Sequence, residues 1–366
     1  MTNNSGLNIL INTGHPAQIH NFKEFKKVLE SRGHNVYWSA TDKDISKTLL
    51  KSYEIEYTLL KQTGKSLSSK YISLIRNTIT TIRIIKDKRI DIAISRVSPF
   101  VTLACIIKRV AHLALTDTET AGMYDKLFGT FVSVLFTSTS FKRSLRSDQI
   151  RFNANIELFY LHPKRFTTSD DILKLLQVER DEPYVVMRFV SWDAYHDKGL
   201  SGFTDENKKK AVDAFSKYAR VFISSEKELP EELEPYRIKI PPERMHDVLA
   251  HAKLFFGESA TMASESAVLG TPAIYLNEHW LGYTNEEQEY GLLFSYKVSP
   301  EDQIAAIEKG FSLLQQPGLE EDMRQNRSRF LSEKIDPTAF MVWFIENYPE
   351  SFNVMKENPD YQYNFK

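Results

Sequence analysis

The stretch Leu254-Phe255-Phe256-Gly257-Glu258-Ser259-Ala260-Thr261-Met262-Ala263-Ser264-Glu265-Ser266-Ala267-Val268-Leu269-Gly270-Thr271-Pro272-Ala273-Ile274-Tyr275-Leu276 decides the fold. Leu254, Phe255 and Phe256 form an apolar run that reads as a buried strand. Gly257 permits a sharp turn, and Ser259 is suited to cap a helix. Ala263, Ala267 and Val268 share one helical face, Gly270 ends the helix, and Pro272 opens a second apolar strand. The result is a strand–loop–helix–strand unit with backbone N–H groups exposed at a helix N-terminus. Such an end attracts phosphate through unsatisfied donors and partial positive charge, each contact contributing about 0.3–1 kcal/mol. Gly257, Ser259, Ala260 and Thr261 are therefore candidate phosphate contacts. Glu265 follows within two turns. Phosphate repels a carboxylate, so Glu265 suits the diol of a ribose instead. The plainer alternative is an ordinary βαβ unit in which Ser259 only caps and Glu265 meets solvent. The pattern alone does not separate the two.

This stretch resembles the nucleotide-binding segment of GT-B sugar-nucleotide enzymes. That fold serves many glycosyltransferases and the non-hydrolysing UDP-N-acetylglucosamine 2-epimerases. Glu265 stands six residues after Ser259 and five before Gly270, as in the epimerase pattern. Nearly end to end, the chain resembles a domain-of-unknown-function family grouped with GT-B proteins. The resemblance implies an α/β chain of two Rossmann-like domains with a cleft between them and a C-terminal helix crossing back to the first. The expected divisions are 1–163, an acceptor and catalytic domain, 164–335, a nucleotide-binding domain, and 336–366, the returning helix and tail. Leu158 to Arg165 reads as the linker.

At 366 residues the chain holds two cores. Its 47 basic and 48 acidic residues leave a formal net charge of -1, which supplies no global drive toward nucleic acid. The single cysteine, Cys105, fits a reducing cytoplasm, and Met1 to Gly6 lack the pattern of a signal peptide. No apolar run reaches bilayer length. Peripheral membrane contact and a homodimer both stay compatible with the sequence. There is no Cys/His cluster for zinc and no Asp-x-Asp, so neither metal nor cofactor is expected.

Other candidate residues follow predicted strands. The first strand, Leu7 to Ile11, leads into Asn12-Thr13-Gly14-His15-Pro16-Ala17-Gln18-Ile19-His20. Gly14 allows close approach of a ligand, and His15 and His20 are candidate acid/base groups. Equally, one of the two caps or packs the helix that follows. Gly64-Lys65-Ser66 is not a P-loop, because Leu59 stands where a glycine is required. The loop after the strand Leu113 to Leu115 brings Asp117 and Glu119, which fit either helix capping or catalysis. Glu119 resembles loosely an active-site glutamate of the epimerases. Val132 to Phe136 reads as the last strand of this half.

In the second half, the strand Tyr184 to Met187 opens onto Arg188, Ser191, Trp192, Tyr195 and His196. Arginine suits a phosphate, and an aromatic ring suits a base or sugar. Ser224 follows the strand Val221 to Ile223, Arg237 to Ile240 reads as a short strand, and His246 lies on the next helix. In GT-B enzymes the segment before that helix touches the base. Transfer from a nucleotide-sugar, with UDP as the nucleotide, is the function the resemblance implies, in surface polysaccharide or glycoconjugate synthesis with an unknown acceptor. His15-Pro16 stands where epimerases carry an arginine, which favours transfer over epimerisation. A GT-B-like binding protein without turnover is a third reading.

Overall fold

Leu254, Phe255 and Phe256 are fully buried, which places their strand inside a sheet and not at its edge. The computed structural model describes residues 6–42, 44–62, 64, 66–119, 122–190, 202–225 and 228–366. Lys65, Ser191, Trp192, Tyr195 and His196 lie outside the described residues. The chain divides into two units: Met1–Arg165 together with Lys334–Lys366, and Phe166–Glu333.

The first unit contains, among the described residues, β1 (Asn8–Thr13), β2 (Asn35–Thr41), β3 (Thr58–Leu60), β4 (Ile92–Arg96), β5 (Ala111–Leu115), β6 (Val134–Ser138) and β7 (Ile150–Phe152). All pair in parallel, in the order β3-β2-β1-β4-β5-β6-β7. This is the Rossmann order with one further edge strand, and it reverses direction between β1 and β4. The sequence predicts β6 as the last strand, so β7 is an addition. It is too short for a periodic signal, and its outer edge is covered by the C-terminal tail. There the Gln362 side chain accepts from the Asn153 N–H at 2.6 Å and donates to the Arg151 carbonyl at 3.3 Å. Leu158–Leu161, read as linker, is a helical turn whose four side chains are all buried.

The helix Pro337–Glu346 is apolar nearly all round and buries most of its surface in this first unit. Phe344 packs edge-on against Phe136 of β6, with centroids 4.8 Å apart, and Phe340 stacks on Phe152 of β7. Asp336 caps the helix by accepting from the Ala339 N–H at 3.0 Å, and Arg165 holds the same carboxylate at 2.7 Å.

One group in this unit has a direct pH consequence. His112 on β5 is buried, with Ser95 Oγ 2.8 Å from Nε2 and Thr102 Oγ1 3.2 Å from Nδ1. Burial pushes its imidazole down from 6.5 to about 3. The folded state keeps the ring neutral while the unfolded chain protonates it below about 6.5. Its contribution to stability is therefore whole above that pH and drains away as the pH falls toward 3. Between pH 6.5 and 5 the loss is about 1.5 kcal/mol from this ring. Urea unfolding across that range is expected to be flatter by this amount in His112→Gln. Parallel profiles for both proteins would refute the assignment.

The second unit contains, among the described residues, β8 (Tyr184–Phe189), β9 (Arg220–Ser225), β10 (Leu254–Gly257), β11 (Ala273–Leu276) and β12 (Leu293–Tyr296). They too are parallel, in the order β12-β11-β10-β8-β9. β9 lies to one side of β8, and β10 begins the run on the other, so the crossover reverses between β8 and β10. β12 is a half-exposed edge strand, and its weak burial hides it from an apolar pattern. Arg237 to Ile240 is not a strand of this sheet. A 3₁₀ helix over Glu231–Tyr236 precedes it, and only a single bridge joins Arg237 to Ile223. Pro235 and the run of glutamates favour that tighter turn over extended backbone.

Candidate active site

Gly257 is a point of close backbone approach in the second unit. It pairs in register with Arg188, and a Cβ on it would lie 2.3 Å from the Arg188 carbonyl oxygen and 2.8 Å from the Arg188 nitrogen. Only a residue without a side chain lets β8 and β10 close here. Open α/β sheets bind ligands beyond the carboxyl ends of their strands where the crossover reverses. That is where Arg188 and the loop after Gly257 stand.

Ser259 caps the helix Ala260–Leu269, its Oγ accepting from the Met262 N–H at 3.4 Å, and Gly270 ends it at φ 94°. Ser259, Ala260 and Thr261 are half-buried, so the helix end is reachable. The Arg188 guanidinium donates to Ser224 Oγ at 2.8 Å, which orients it along the ends of β8 and β9. A guanidinium and a helix N-terminus at one sheet edge suit an anion of two or more phosphates.

Glu265 and His246, which the sequence assigns separately, form one buried pair. Glu265 Oε1 lies 2.9 Å from His246 Nε2, and Phe166 meets the imidazole edge-on. Glu265 therefore does not face open solvent.

Glu258 is a functional candidate that sequence reasoning passed over. It is buried, and its carboxylate accepts from the Val190 N–H at 3.1 Å and the Phe203 N–H at 2.6 Å. It thus anchors both chain ends that flank residues 191–201 to the end of β10. A carboxylate directly after a strand-end glycine was the available signal.

In the first unit, His15 and His20 separate cleanly. His15 is exposed just past β1, and its Nδ1 accepts from the Ala17 N–H at 3.3 Å, capping the helix Pro16–Ser31. Gly14 is exposed beside it, its N–H bound to the Gln18 side chain at 2.7 Å. His20 is buried one turn on, with Tyr53 Oη at 3.2 Å from Nδ1 and Tyr160 packed beside the ring. That position is one of packing.

The other side of the β1/β4 reversal carries charge. Arg96, at the end of β4, forms an ion pair with Asp117 just past β5, and Thr118 Oγ1 donates to the same carboxylate at 2.7 Å. The following helix spans Gly122–Gly129. Glu119 is half-buried; its carboxylate accepts from the Lys142 N–H at 3.3 Å, and Arg143 donates to its carbonyl. Arg96, unassigned from sequence, is the cation that fixes this edge. Among the described residues, no three His, Cys, Asp or Glu side chains converge as a metal site requires.

Residues 7–281 match the model of a family described as "Protein of unknown function (DUF354)". The chain belongs to DUF354. No curated protein matches this DUF354 chain in sequence. Solved structures match it over most of its length. UDP-GlcNAc 2-epimerase from Neisseria meningitidis bound to UDP-GlcNAc aligns at 12% identity and TM-score 0.64, covering 96% of this chain and 99% of that one. The S. aureus MnaA–UDP co-structure aligns at 13% and 0.64, with 98% of each chain covered. Acinetobacter baumannii MurG aligns at 15% and 0.57, covering 93% of this chain and 99% of that one. At these identities the likeness establishes the fold alone: the DUF354 chain has the fold of GT-B proteins.

Proposed function

We propose that this DUF354 protein is a glycosyltransferase that uses a nucleotide-sugar donor, with UDP as the nucleotide. The observation that carries the reading is the β8/β10 reversal, where Gly257 closes on the Arg188 backbone and the Ser259-capped helix opens. Arg188 and that helix end would stabilise the leaving diphosphate, since positive charge aimed at developing negative charge lowers the barrier. The Glu265–His246 pair would meet the ribose or base. Two of the aligned structures are described with UDP or UDP-GlcNAc, which supports the nucleotide class.

The test is calorimetry with UDP and UDP-sugars. Saturable binding is expected. Arg188→Ala is expected to weaken it about tenfold to a hundredfold, because a hydrogen bond to a charged group contributes about 1.5–3 kcal/mol. Absence of saturable binding at millimolar nucleotide would count decisively against the reading.

The carboxylate of Glu119 just past β5 also favours a second reading, epimerisation at C2 of the sugar. That reaction needs a base to remove a C–H proton. Incubation with UDP-GlcNAc separates the two readings, because a transferase releases UDP when an acceptor is present and an epimerase interconverts the sugar.

A further inference from the structure

The helix Leu67–Asp87 of the first unit packs its C-terminal half into the core through Ile85, with Ile82 and Ile84 beside it, yet leaves a second row of apolar side chains outside. The buried side chains of an ordinary surface helix are apolar and the exposed ones polar. Here the polar Asn77, Thr78 and Thr81 are buried together with Ile85, and Asn77 holds the Lys61 backbone through both its amide donor at 3.0 Å and its carbonyl at 3.2 Å. Leu67, Tyr71, Ile75 and Ile79 follow one another at four-residue spacing and point outward, joined by Ile72. Their exposures are 85%, 66%, 46%, 45% and, for Ile72, 64%. Arg76 and Arg83 share a shallow surface groove with Ile72, Ile75 and Ile79. Lys70, Arg76, Arg83 and Lys86 are the charged residues before the final Asp87, in a chain of net charge -1 overall.

We infer that this face docks the protein on an anionic lipid surface. A helix lies in a membrane interface when one face is apolar and its rim is cationic, and the length of the helix then runs along the surface. Among the described residues no helix is long and apolar enough to cross a membrane, so the contact is a lateral one. Charge decides the occupant. A twofold contact with a second copy sets two helices that each carry four cations and one terminal acid against each other, which repel, whereas acidic headgroups attract both arginines. The tyrosine ring suits the headgroup level, with an apolar body and a polar tip.

The experiment is flotation of the full chain with vesicles, one set pure phosphatidylcholine and one carrying phosphatidylglycerol, without nucleotide. The protein is expected to float with the anionic set at low salt and to release as salt rises. Arg76→Gln with Arg83→Gln is expected to lower the partition about 30-fold. Ile75→Ser with Ile79→Ser is expected to lower it about tenfold, and these exposed sites leave the core intact. UDP binding by each variant should match the wild type, so failure here is distinct from failure of the nucleotide site. No flotation on anionic vesicles, or variants that float like the wild type, would overturn the inference. So would a dimer that the isoleucine variant splits, in sedimentation velocity, while its flotation is unchanged.

Discussion

Gly257→Val is expected to disable the second unit more than any other single substitution at the candidate site. The Cβ would land 2.3 Å from one Arg188 backbone atom and 2.8 Å from another, and both belong to the neighbouring central strand. Neither atom is the end of a flexible side chain, so the strands themselves must separate. Overpacking of this kind costs about 1–3 kcal/mol in cores that adjust through side chains, and more where backbone must move. For a unit of this size about 3 kcal/mol lowers the melting temperature by roughly 6–12 °C. The loss is not only one of stability. Spreading β8 from β10 displaces the Arg188 guanidinium and the Ser259 loop, and Glu258 loses its hold on the Val190 and Phe203 amides. Gly257→Ala should show the same effects at smaller size. Thermal unfolding and UDP calorimetry on both variants are the measurements, and an unchanged melting temperature in Gly257→Val would contradict the close approach.

His15→Asn is expected to abolish most turnover while the fold and nucleotide affinity persist. His15 is the exposed imidazole past β1, and a lost general base lowers the rate by about 10²–10⁴-fold. Its ring also caps the helix Pro16–Ser31, so His15→Ala mixes two effects. Losing the cap alone costs about 1 kcal/mol, and asparagine is itself a strong N-cap. Asn at position 15 therefore restores the cap without restoring a base. Full turnover in His15→Asn would remove His15 from the chemistry. Glu119→Gln then becomes the next test, since Asp117 is committed to Arg96.

Much of the fold was written in local pattern. Leu254–Phe256, Gly257, the small-residue face of the helix and Gly270 are nearest-neighbour features, and each took the expected form. The same holds for the apolar helix Pro337–Glu346, because a helix without a polar face must bury itself; the stretch after it, read as a tail, instead forms a helix over Glu350–Glu357 and a 3₁₀ helix over Pro359–Phe365. β7 and β12 escaped because edge strands of three or four residues carry no periodic signal. Leu158–Leu161 escaped for a related reason, since one buried turn beside His162-Pro163 looks like a linker until its partners are seen.

The candidate site divides in the same way. Which residues stand at strand ends is a local matter, so Gly14, His15, Asp117, Arg188, Ser224 and Ser259 were nameable from the chain. Their partners are not local. The pairs Arg188–Ser224, Glu265–His246 and Arg96–Asp117 join residues 36, 19 and 21 positions apart. Glu258 reaches Phe203 across 55 positions. Sequence by itself determined the two runs of parallel α/β units and the helix end at Ser259, because dihedral preference and apolar period act within a few residues. The tertiary structure decided that His20 packs while His15 stays exposed, that Glu265 is buried against an imidazole, and that a helix turns Ile72, Ile75 and Ile79 outward. Burial and pairing depend on which strands become neighbours, and strand order is set by the packing of the whole sheet.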